Sequence, residues 1–168
     1  MKRSYILILI LIIMLLLQIT VFSFYPMTEV KPDLLLVVVV ISSLLYGSEV
    51  GMKTGFGAGL LQDIFLGRIF GEYTIIKIVI GEITGIIEKK VYKGNLIIPP
   101  LIIFITTIIQ EFIIILFIQK TVINIHYLNI MIKFIFPVAL YNSIIGLFLY
   151  PVFLKIFKNK DSRLWIND

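Results

Sequence analysis

Residues 51–71 read GMKTGFGAGLLQDIFLGRIFG, with Gly51, Gly55, Gly59, Asp63, Gly67 and Gly71 in a strict four-residue series. On an α-helix each step of four drifts by about 40°, so Gly51 to Asp63 share one broad face and Gly71 falls on the opposite side. The series therefore divides in two. Gly51, Gly55 and Gly59 form a ridge that permits close helix approach, by a neighbour in the same bundle or by a partner's helix. Gly67 and Gly71, bracketing Arg68, shape the turn that follows. Asp63 stands between the two devices, towards the outer end of the helix. A carboxylate at mid-bilayer costs about 2.5–3.5 kcal/mol and less near the interface. Snorkelling, protonation or pairing with Arg68 or Lys77 would relieve that cost.

The rest of the chain places this helix in lipid. Of 168 residues, 60% are hydrophobic and 15% charged, with a mean hydropathy of +1.07. A soluble domain carries about 25% charged residues, so a soluble fold this apolar would lack a polar coat. The net charge of +5 is no nucleic-acid footprint, because the lysines and arginines flank apolar runs. The absence of cysteine excludes disulfides and thiolate metal sites.

Six apolar segments follow one another, at about 5–24, 33–47, 50–66, 72–87, 97–119 and 128–157. They predict a single integral membrane domain over residues 1–168, an all-α polytopic membrane protein with six transmembrane helices. The first segment is longer than the roughly 7–15 residues of a signal-peptide core and lacks an A-x-A-like site, so it is expected to be retained. The second opens at KPDLLLVVVV, where Pro32 suits a first helical turn and Asp33 the positive end of the helix dipole. Its valine run would suit a buried strand, but an isolated strand cannot satisfy its backbone in lipid.

The distribution of basic residues sets the topology. With six helices, Lys2, Arg3, Lys53, Lys89, Lys90, Lys93, Lys155, Lys158, Lys160 and Arg163 fall on one side. The other side holds Lys31, Arg68, Lys120 and Lys133. The positive-inside rule then puts both termini in the cytoplasm.

Lys77, Glu82 and Glu111 lie deeper than Asp63, with Gln110 beside the last. Lys77 and Glu82 are about 140° apart around their helix, so each is expected to find a partner on another helix or to be neutralised. Such residues mark either a transport path or a structural cluster holding short helices together. Asn142 is a mid-membrane amide suited to an interhelical hydrogen bond. The single histidine, His126, has no ligand partners nearby, and no nucleophile-elbow, zincin or phosphate-loop motif occurs. No cofactor, metal or catalytic residue is expected.

Three stretches, KPDLLLVVVV, GFGAGLLQDIFLGRIFGEYTI and ALYNSIIGLFLYPVFLKIF, together resemble the bacterial rod shape-determining protein MreD family. The matching positions are Pro32, Asp33, Gly55, Phe56, Gly59, Leu60, Asp63, Gly67, Gly71, Asn142 and Pro151. Lys77 and Glu111 fall outside the pattern. The resemblance implies a non-enzymatic scaffold subunit of the cell-elongation complex in the bacterial cytoplasmic membrane. It implies binding to an MreC-like protein and, indirectly, coupling of MreB to peptidoglycan synthesis by RodA and a class B penicillin-binding protein. It also implies a fold similar to the six-helix substrate-binding subunits of energy-coupling-factor transporters. The alternative is therefore a small-solute, vitamin-type binding subunit. The sparse outer loops RIFGE and KTVINIHYLN speak against it.

Overall fold

The computed structural model describes residues 2–24, 31–67, 69–88, 95–119 and 131–158. All regular structure among them is helical: α1 (Lys2–Phe24), α2 (Leu34–Tyr46), α3 (Ser48–Phe65), α4 (Glu72–Ile87), α5 (Ile98–Gln119) and α6 (Phe136–Lys158). A π-helical turn, Met131–Ile135, leads into α6.

The bundle is organised around α2. Every residue from Leu34 to Leu45 is buried, and α1, α3, α4, α5 and α6 all pack against it. A helix apolar all round belongs inside a protein, and LLLVVVVISSLLY has no polar face to offer water. Thirteen residues rise only about 20 Å, short of the roughly 30 Å of a bilayer core. Asp33 caps its start, accepting the Leu36 N–H at 2.9 Å. Pro32 thus sits one residue before the cap rather than in the first turn, and is buried there. At the other end a single residue, Gly47 with φ +84°, both closes α2 and opens α3. Its N–H donates to the Ser43 carbonyl at 2.8 Å.

α1 leans on the bundle along Leu7, Leu11 and Leu15 and exposes most of its other apolar side chains. α5 and α6 form a second hairpin-like pair against α2. Residues 98–116 and 132–156 are long and apolar enough to cross a membrane, and 5–20 and 34–46 are shorter apolar helices.

The closest pair is α3 with α4, and the glycine ridge explains it. A Cβ on Gly51 would stand 2.6 Å from the Ser43 Cβ and inside the Gly81 carbonyl. On Gly55 it would strike the Lys77 carbonyl, and on Gly59 the backbone of Tyr73 and Thr74. α4 answers with Gly81 against Gly51 and Gly85 against Ser48. The two helices thus run antiparallel with backbone against backbone. Of the two occupants open to the ridge, α4 of the same chain fills it, leaving no room there for a partner's helix.

Candidate functional site

The zipper of small residues fixes where α4 presents its side chains, and Lys77 is the consequence. Its backbone rests on Gly55, and its side chain is fully buried. An isolated ammonium in such a place is costly unless it is paired and hydrogen-bonded. Lys77 Nζ donates to Asp33 Oδ2 at 2.5 Å and to Gln110 Oε1 at 2.9 Å, and lies 5.7 Å from the Tyr73 ring centroid. The partner that the sequence left open for Lys77 is therefore Asp33, 44 positions earlier, and not Asp63.

Asp33 is the centre of the cluster. Its Oδ2 also accepts from Gln110 Nε2 at 2.8 Å and Gln62 Nε2 at 3.3 Å, while Oδ1 holds the Leu36 N–H. Its own N–H donates to Asn142 Oδ1 at 2.8 Å, and Asn142 Nδ2 donates to Thr107 Oγ1 at 3.1 Å. Thr107 in turn donates to the Ile103 carbonyl at 2.7 Å. The start of α2 is thus tied to α3, α4, α5 and α6 by one connected set of side chains. Gln62 Oε1 finds no partner among the described residues.

Asp63 is buried, 5% exposed, near the end of α3. Its Oδ1 accepts the Tyr73 N–H at 3.0 Å, and its Oδ2 accepts the Thr74 N–H at 3.0 Å and the Thr74 hydroxyl at 2.5 Å. The carboxylate therefore serves the first turn of α4, where unsatisfied N–H groups and the helix dipole favour negative charge. The turn between the two helices is built as its glycines require. The N–H groups of Leu66 and Gly67 both donate to the Gln62 carbonyl at 2.8 Å. A side chain on Gly67 would collide with the Asp63 backbone, and Gly71 takes φ +96° just before α4.

A second polar layer joins the far end of α2 to the zipper. Ser42 and Thr54 hydroxyls lie 2.8 Å apart, and those of Ser43 and Thr84 2.5 Å apart. Sequence reasoning passed over these four residues and over Gln62 and Thr107. The available signal was a hydroxyl or amide in an otherwise apolar helix, such as the Ser42–Ser43 pair inside LLLVVVVISSLLY.

Two residues do not join the core. Glu82, for which the sequence predicts a partner on another helix or neutralisation, is exposed on the outer face of α4 and has no partner among the described residues. Glu111 is half-buried and, among the described residues, receives a long contact of 3.4 Å from Gln110 Nε2 at the edge of the cluster. His126 and half of the basic residues used for topology, Arg68, Lys89, Lys90, Lys93, Lys120, Lys160 and Arg163, lie outside the described residues.

A strongly apolar chain whose described regular structure is wholly helical defines a helical membrane-associated protein. Residues 2–160 match the model of the rod shape-determining protein MreD, and the chain belongs to that family. The family determines rod shape and is not a family of enzymes. No curated protein and no solved structure matches the chain, so the likeness to energy-coupling-factor transporter subunits has no structural match behind it.

Proposed function

We propose that the chain is a six-span scaffold subunit of the cell-elongation complex, with both termini in the cytoplasm, that binds an MreC-like protein. Through that partner it helps couple MreB to peptidoglycan synthesis, the chemistry being done by RodA and a class B penicillin-binding protein. Family membership supports the role in shape. The observation that carries the scaffold reading is the convergence of five elements on Asp33. Polar side chains that bind one another across helices fix their relative positions and leave little to recognise a solute. The apolar exterior, with side chains such as Phe148 and Ile75 largely exposed, is the surface left for lipid and partner helices.

The Asp33 cluster is proposed as the element that sets the shape of the scaffold, with the glycine ridge and Asp63 fixing α4 beside it. The test is depletion of the protein from rod-shaped cells. The expected result is rounding, with loss of the MreC-like protein from the elongation complex. Normal rods combined with impaired uptake of one vitamin would overturn the scaffold reading in favour of a solute-binding subunit.

A further inference from the structure

The outer face of α4 combines two features that lipid alone does not satisfy. Ile75, Val79, Ile83 and Ile86 stand exposed along it, Ile75 at 66% and Ile86 at 64%. Val79 and Ile83 continue into an apolar groove whose opposite wall is Ile109 and Ile113 of α5. Within that face, on the same side of the helix, lies the exposed carboxylate of Glu82. No described residue gives Glu82 a hydrogen bond or an ion pair. It is five residues from the end of α4, about 7–8 Å along the axis, and so falls within the inner half of the proposed topology. A carboxylate facing hydrocarbon at that depth is unfavourable, and a cationic or amide donor opposite it removes the penalty.

We propose that the α4–α5 groove and Glu82 together form the seat of a partner's single transmembrane helix. That helix would carry a Lys, Arg or amide side chain in its inner half. The occupant follows from charge complementarity. The groove takes small or branched apolar side chains, and the carboxylate selects a helix with a basic residue near its cytoplasmic end. By the positive-inside rule a single-pass protein with its N-terminus inside carries Lys or Arg flanking the cytoplasmic end of its span, and such a long side chain can reach a carboxylate one to two turns in. An acyl chain would fill the groove but leave Glu82 unanswered. The inference rests on the MreC-like partner proposed above, taken as a protein with one transmembrane helix, and adds where it binds.

The experiment uses the full-length chain co-expressed in membranes with a tagged MreC-like protein. p-Benzoyl-phenylalanine replaces Val79, Ile83 or Ile109, and Phe148 on α6 serves as the exposed control. The expected result is partner adducts at the three groove positions, about tenfold above the control. Glu82→Lys should lower them about tenfold, and exchanging the partner's basic residue for Glu should restore them in that background. The milder Glu82→Gln, which keeps size and an amide, should lower them less. Adducts only with phospholipid, adducts equal at Phe148, or yields unmoved by Glu82→Lys would overturn the proposal. Co-purification without groove adducts removes this surface alone. Failure of the partner to co-purify with the unaltered chain removes the scaffold reading as well.

Discussion

Replacing Lys77 by Met tests the centre of the bundle most sharply. The substitution preserves length and apolar bulk but strips Asp33 of its 2.5 Å partner, leaving a carboxylate with 6% side-chain exposure and no counter-charge. Breaking a buried ion pair from one side costs about 3–5 kcal/mol, whereas an interhelical hydrogen bond in a membrane protein averages about 0.6 kcal/mol. The gap between those figures decides the outcome. Lys77→Met is expected to cost at least about 3 kcal/mol, and Asp33→Asn a similar amount, because it strands the ammonium. The double variant should recover a large part of the loss, with an interaction energy on the order of 2 kcal/mol. An amide at position 33 retains the cap on the Leu36 N–H, so the helix start is held constant across the cycle. Pulse proteolysis across an SDS titration in mixed micelles measures all four proteins. A Lys77→Met loss below about 1 kcal/mol, or a double variant no better than the worse single, would refute the account of a charge held by its partner.

Gly55→Leu should prevent α3 and α4 from meeting, since the Lys77 carbonyl occupies the space, and folded yield in detergent should collapse. Gly57→Ala, whose Cβ would stand 3.4 Å from the Leu11 Cδ1, should leave yield nearly unchanged. Asp63→Asn, which retains one acceptor for the α4 amides, should support rod shape in complemented cells, while Asp63→Ala, which retains none, should give rounded ones. Ser43→Ala should lower stability by about 1 kcal/mol through loss of the hydroxyl pair with Thr84, which keeps the Ile80 carbonyl 2.7 Å away, and adding Thr84→Val should cost little more in the same titration. Because the chain contains no cysteine, a single cysteine at Lys160 or His126 reports sidedness cleanly. An impermeant maleimide should label intact spheroplasts at 126 and not at 160.

Helix number and apolar class were legible because hydropathy is a local property. The glycine ridge was legible as a surface of close approach, since a period of four marks one face of a helix whatever meets it. Its occupant was not, because a spacing describes one helix and the neighbour is chosen by the whole bundle. The same limit applies to Lys77. Its need for a partner follows from its burial in apolar sequence, but Asp33 is separated from it by two entire helices, α2 and α3, and looked like a cap alone. In fact it does both, with one oxygen on Leu36 and the other on Lys77. Glu82 shows the same limit from the other side: its exposure on the outer face of α4 could not be read from the sequence. Surrounding apolar residues imply burial in a soluble protein, whereas in this chain they line the outside too.

The position of α2 has a consequence for biosynthesis. This helix leaves the ribosome well before α6, yet Asn142, which accepts the Asp33 N–H, belongs to α6. Until α6 arrives, the central cluster is an open polar wound within an otherwise greasy intermediate. The newly made chain must therefore be sheltered, by the insertion machinery or by a partner already in place, for most of its synthesis. A chain truncated before Asn142 would carry that opening permanently and display it to membrane proteases. Completion of α6 thereby doubles as the inspection stamp on the bundle.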